Sequence, residues 1–141
     1  MLQKNTTRRI GYWLLHLHQR FDADTAEALR EEKLTRRQWQ ILHALHIGLS
    51  TVAELDQAFT PFLVADGAQS YQSIVDEFSG RGWVEFSGDT VKLTAAGVEA
   101  HERAEALVNA HADESLRGIT EAEFLAANAV LQKIAENLGD E

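Results

Sequence analysis

Two changes of hydrophobic period constrain this chain more than any other feature. Up to Gly80 the apolar residues recur every three or four positions, between Trp83 and Leu93 the period falls to two, and from Ala95 onward it is helical again. The interruption holds one turn, Ser87-Gly88-Asp89, between the β-prone runs Trp83-Val84-Glu85-Phe86 and Thr90-Val91-Lys92-Leu93, the pattern of a single hairpin. The expected fold is therefore mainly α with one short β-hairpin.

The helical segments are punctuated by three capping signals. Ile10, Trp13, Leu14, Leu17 and Phe21 form the first apolar stripe. Thr35 and Gln38 then have the spacing of a capping box, in which each side chain takes up a free backbone amide, and Trp39, Leu42 and Leu45 follow at helical spacing until Gly48. Thr51 and Glu54 repeat the box ahead of Val52, Leu55 and Phe59, and the sole proline, Pro61, sits near the close of that short helix. After Asp66-Gly67, residues 68–78 read as a helix that buries Tyr71, Ile74, Val75 and Phe78. Residues 95–116 extend about 33 Å as a helix at 1.5 Å per residue. Gly118 stops it, and Thr120 with Glu123 opens a last helix bearing Phe124, Leu131, Ile134 and Leu138 on one stripe.

Composition narrows the function classes. A chain of 141 residues, 45% hydrophobic and 25% charged, fits one globular domain. With no cysteine, thiolate catalysis and disulfide chemistry are closed to it. No run approaches the roughly 18 apolar residues of a membrane span. Ile10 to Leu17 is short, is interrupted by His16 and has no small-residue cleavage site after it, so the expected compartment is the cytoplasm with no membrane partner. The G-x-S-x-G, P-loop, G-x-G-x-x-G and H-E-x-x-H patterns are all missing, so neither a catalytic residue nor a cofactor is expected. The net charge of −9 is unevenly distributed. Lys4, Arg8, Arg9, Arg20, Arg30, Lys33, Arg36 and Arg37 make residues 1–37 net +3, whereas residues 51–90 carry seven carboxylates against one base, Arg81. Such a surplus disfavours non-specific affinity for nucleic acid.

Leu34-Thr35-Arg36-Arg37-Gln38-Trp39-Gln40-Ile41-Leu42, Val52-Ala53-Glu54-Leu55, Arg81-Gly82-Trp83-Val84-Glu85 and Lys92-Leu93-Thr94-Ala95-Ala96-Gly97, in that order and spacing, resemble the multiple antibiotic resistance regulator (MarR) family of transcription factors. The resemblance covers essentially the whole chain. It implies a winged helix-turn-helix lobe at residues 34–97, set between an N-terminal helix region at 1–33 and C-terminal dimerisation helices at 98–141, all within one structural domain. It also implies a homodimer whose outer helices interleave, placing two lobes on adjacent major grooves of a palindromic double-stranded DNA operator. The apolar stripes of the first and last helices support this independently, because covering them with a second copy removes them from water at about 25 cal/mol per Å².

On that resemblance residues 68–78 are the recognition helix, and its base-facing positions are Gln69, Ser70, Gln72 and Ser73. The chain departs from its relatives in lacking their mid-helix arginine and the basic tip of their longer wing. Glutamine still offers adenine a bidentate contact and serine bonds either base type. Phosphate anchoring then falls to Arg36, Arg37, Arg81 and Lys92. The resemblance further implies a pocket for a small aromatic or phenolic effector, built from Trp13, Leu17, Trp39, Leu42, His43 and His46. A helical wheel puts His46 between Trp39 and Leu42 and so facing inward. His43 and His46 lie i, i+3 and can present two nitrogens to one ion, but His16 and His18 diverge by about 200° on a helix. Spacing indicates no third ligand, so no metal is expected. The acidic stretch sustains a second reading: a winged-helix dimer that has lost ordinary operator binding and works as a protein- or ligand-binding module.

Overall fold

The computed structural model describes residues 8–139, so Lys4 lies outside the described residues. Its elements run α1 (Ile10–Ala28), a 3-10 turn (Arg30–Glu32), α2 (Arg36–His46), α3 (Val52–Ala58), α4 (Thr60–Asp66), α5 (Gln72–Gly80), β1 (Val84–Ser87), β2 (Thr90–Leu93), α6 (Ala95–Ser115) and α7 (Glu121–Asn137). The two strands pair antiparallel, with Val84 opposite Leu93 and Ser87 opposite Thr90, and Gly88 takes the left-handed conformation (φ 61°) that the tight connection requires. Ser50 ties this hairpin to the chain ahead of α3, its carbonyl accepting from the Val91 amide at 2.7 Å. The fold is thus mainly helical with one wing, as the periodicity predicts.

The caps of α2 and α7 form as expected, each with both reciprocal bonds of the box: Thr35 with Gln38, and Thr120 with Glu123. At α3 only half of the box forms. Thr51 Oγ1 accepts from the Glu54 amide, but the Glu54 carboxylate returns to the Thr51 hydroxyl instead of its backbone.

Two helix boundaries differ from the sequence reading. Pro61 lies just past the close of α3, which ends at Ala58 with Phe59 as its C-cap, but it also opens a further helix: it occupies the first turn of α4, where its missing N–H costs nothing. Thr60 makes the junction close, since its hydroxyl donates to the carbonyls of Asp56 (3.1 Å) and Gln57 (2.9 Å) that α3 leaves free. The next helix starts at Gln72, not Ala68, because Asp56 on α3 fixes its entry. Its carboxylate accepts from the Tyr71 amide and the Ser70 hydroxyl, both at 2.8 Å, and Ser70 Oγ accepts in turn from the Gln72 amide. A carboxylate at a helix N-terminus also suits the helix dipole.

The core lies where α2, α3, α5, the hairpin and the first half of α6 meet, around the fully buried Ile41, Leu42, Leu55, Val75, Phe78 and Ala100. Thr94 joins hairpin to helix: its amide donates to the Trp83 carbonyl, its hydroxyl donates to the Gly82 carbonyl at 2.6 Å, and its oxygen accepts from the Gly97 amide. Packing divides the chain into two compact units, one ending at His111 and the other running from Ala112 onward. That division falls inside α6. The second unit carries α7, which buries none of its residues.

Candidate nucleic-acid interface

The first turn of α5 presents Gln72 and Ser73 to solvent, beside the hairpin and directly after the loop that carries Gln69. Gln69 is exposed too, but it precedes the helix, and so does half-buried Ser70, whose hydroxyl is engaged by Asp56. Two of the four expected base-facing residues therefore ride on the helix and two on its lead-in. Gln72 donates its side-chain amide to Asp76 at 2.9 Å, an exposed contact that an adenine edge can replace. A cavity of about 440 Å³ lies between Thr51, Val52, Ala53, Gln72, Phe86, Gly88 and Asp89, joining the helix-turn-helix to the wing tip.

The expected phosphate anchors are placed less freely than the sequence suggests. Arg36 donates to Asp22 on α1 at 3.1 Å. Arg37 donates to Asp66 at 2.7 Å and to Gln40, and its guanidinium lies 3.7 Å from the Phe62 ring centroid, leaving the side chain 10% exposed. Arg81 donates to the carbonyls of Glu32 and Lys33 and to Glu77, and it stacks on Trp83. Each guanidinium thus ties two separate segments of the chain together and is matched by a carboxylate. Lys92 on β2 is exposed, with no ion pair among the described residues. Sequence showed the bases but not their partners, because Asp66 lies 29 positions from Arg37 and Lys33 lies 48 from Arg81.

Asp66 also accepts from the Tyr71 hydroxyl at 2.6 Å, so α2, α4 and the entry to α5 converge on one carboxylate. Burial alone would raise this carboxyl, but the hydrogen bonds from Arg37 and Tyr71 outweigh it and hold Asp66 below its ordinary range. Tyr71 is shifted upward, by burial first and then by the adjacent Asp66. The network borders a cavity of about 490 Å³ lined by Asp22, Ala26, Arg36, Arg37, Ser70, Tyr71, Ser73 and Ile74, among others.

None of the residues expected to form the effector pocket lines that cavity. Trp13 and Leu17 lie exposed on α1, and Leu42 is fully buried in the core. His46, the last residue of α2, lays one ring face on the inward side against α6, as the helical wheel suggests, but stays exposed on the other because the core no longer covers the end of the helix. The completely buried imidazole is His101 on α6, undetected by the sequence reading. It is stacked by Trp39 (ring centroids 5.1 Å) and His46 (3.8 Å), and its Nε2 lies 2.9 Å from His43 Nδ1. Burial, reinforced by His46 and His43 against the opposing pull of Glu105 and Glu102, lowers its pKa and favours the neutral ring.

No protein-family profile and no curated protein matches the chain. Solved structures do. The reduced form of MarR from E. coli gives a TM-score of 0.70 at 24% identity, covering 95% of this chain and 98% of that one. BpsR of Bordetella bronchiseptica, in a structure concerned with regulation of its DNA binding by 6-hydroxynicotinic acid, gives 0.74 at 19% identity, covering 93% and 96%. The transcriptional repressor CouR, bound to p-coumaroyl-CoA, gives 0.72 at 23% identity, covering 89% and 91%. The chain therefore has the winged-helix fold of the MarR-type transcriptional regulators. No described helix is long and apolar enough to cross a membrane.

Proposed function

We propose that this chain is a MarR-family transcriptional regulator that works in the cytoplasm as a homodimer and binds a palindromic double-stranded DNA operator. One observation carries the reading: a winged-helix fold, shared over 89–95% of the chain with the three regulators above, presents Gln72 and Ser73 at the exposed start of α5. Those two side chains supply direct readout, Gln69 reaches the flanking base or sugar, and Lys92 contacts phosphate from the wing. Selection of bound fragments from random DNA at low salt tests this. Enrichment of a two-fold symmetric sequence whose adenine preference is relaxed by Gln72→Ala is the expected outcome, and no enrichment overturns it.

The cavity beside Arg36 and Arg37 is the place for an effector. Its apolar residues Ala26 and Ile74 and its two guanidinium groups suit a small aromatic acid that displaces the Asp22 and Asp66 carboxylates now paired with them, and two of the structural neighbours are described with aromatic ligands. A ligand that draws Arg37 away from Asp66 would loosen the entry to α5. This reading puts the effector on the α1, α2 and α5 side in place of the histidine-lined region expected from sequence.

The engagement of Arg36, Arg37 and Arg81 with Asp22, Asp66 and Glu77 favours a second reading, in which the winged-helix dimer has given up operator binding and serves as a protein- or ligand-binding module. Failure of the DNA selection together with effector binding would establish it.

A further inference from the structure

His43 and His101 face each other nitrogen to nitrogen at 2.9 Å, and a Glu105 carboxylate oxygen lies close enough that one ligand atom from each residue falls within 4.8 Å of the others. His101 and Glu105 are i, i+4 on α6 and so share a face, which α2 meets with His43. We infer that these three side chains form a binding site for a divalent first-row transition metal, with Zn²⁺ the best match to a two-imidazole, one-carboxylate donor set. The inference is independent of DNA binding, because its readout is metal occupancy.

Geometry supports the assignment. Two nitrogens each 2.0–2.1 Å from one zinc ion lie about 2.9 Å apart at a right angle and about 3.4 Å apart at the tetrahedral angle, so the imidazoles need part by no more than about 0.5 Å, and rotation of the Glu105 side chain, whose oxygen is within 4.8 Å of both nitrogens, closes the third distance. Packing needs alone do not account for His101. Its Nδ1 is buried with no hydrogen-bond partner among the described residues, a cost that a leucine or phenylalanine would avoid and that whatever Nε2 binds must offset. Among the described residues the ring's one polar contact is the Nε2 approach to His43 Nδ1, and an ion would take up these two nitrogens in place of the proton they share. Half-buried His43 and Glu105 leave a route from solvent to the site. The ion would clamp α2, which belongs to the winged lobe, onto α6.

The test uses the full chain without an affinity tag, titrated with Zn²⁺ by calorimetry and with Co²⁺ by visible absorption. One ion per chain with d–d bands in the visible is expected, and His43→Gln and Glu105→Gln are each expected to weaken binding at least about 10-fold, while His16→Gln with His18→Gln leaves it unchanged. In the unmutated chain the imidazole nitrogens of His43 and His101 should shift with Zn²⁺ at equal stoichiometry, a readout that does not depend on any variant folding. No binding by the unmutated chain, full affinity in either single variant, or imidazole shifts confined to His16, His18 and His111 would overturn the site.

Discussion

At position 97 a single methyl group has no room. A Cβ built on Gly97 would lie 2.1 Å from the Trp83 carbonyl oxygen and 3.2 Å from a Leu93 methyl, and that carbonyl is fixed by the Thr94 amide, so it cannot swing aside. Gly97→Ala is expected to lower stability by about 1–3 kcal/mol through overpacking. Gly80→Ala is the control, because nothing lies within 4 Å of its added methyl and its φ is not positive. It should be neutral or slightly stabilising, and equal urea midpoints for the two variants would contradict the close approach. Asp66 supports a second residue-scale prediction. Its folded pKa is depressed, so its stabilising effect is fully present above the unfolded value of about 3.9 and is lost as pH falls through the lower folded value. Asp66→Asn should therefore be less stable than the unmutated chain at neutral pH, and the gap should close on acidification below about pH 4. A gap that stays constant between neutral and acid pH would show that Asp66 acts through shape and not through its charge.

Among the elements, α5 depends most on residues outside itself. Tyr71 occupies its N-cap position with no side-chain cap of its own, and Asp56 on α3 takes the Tyr71 amide and holds Ser70 in place to take the next. Asp56→Ala should cost about 1–2 kcal/mol, as removal of a good N-cap does, and should speed hydrogen exchange at the amides of residues 71–73. Protection unchanged there would remove Asp56 from this role. The dependence also marks how far local reading of the chain reached. Periodicity and the boxes at Thr35 and Thr120 located α2, the hairpin, α6 and α7, because caps and amphipathic stripes are written within four residues of where they act. The start of α5 was misplaced since its cap comes from 15 positions upstream. α4 was missed because a proline marks the first turn of a helix as readily as the end of one. The pairing of His43 with His101, 58 residues apart, leaves no local trace, although His101 and Glu105 do share a helical face.

At the scale of the whole molecule, the uncovered apolar faces and the engaged arginines set the behaviour in solution. Trp13, Leu14, Leu17 and Phe21 on α1 are each more than 40% exposed, and Phe124, Leu131 and Ile134 on α7 are 38–43% exposed. A second copy is the cover the proposed dimer supplies, and a stable interface of this kind buries about 1,200–2,000 Å². Leu131→Asp with Ile134→Asp places two carboxylates one turn apart on that stripe, and burying unpaired charge costs several kcal/mol, so the dimer should weaken at least about 100-fold. Sedimentation would then give the mass of one chain where the unmutated protein gives two; two one-chain masses would reject the dimer. The same assembly fixes the salt dependence of DNA binding. If Arg36, Arg37 and Arg81 left their carboxylates for phosphate and joined Lys92, two subunits would present eight contacts and a slope of log K against log salt of about −7; if they stay engaged, two lysines give about −2. Each arginine must break an existing pair to contribute, and Arg37 would also expose a mostly buried side chain. The expected slope is therefore shallower than about −4, measured by anisotropy on the selected operator. A slope near the steeper limit would mean that the lobe exchanges its internal ion pairs for phosphate on binding, which would make the Arg37–Asp66 contact the switch between free and bound protein.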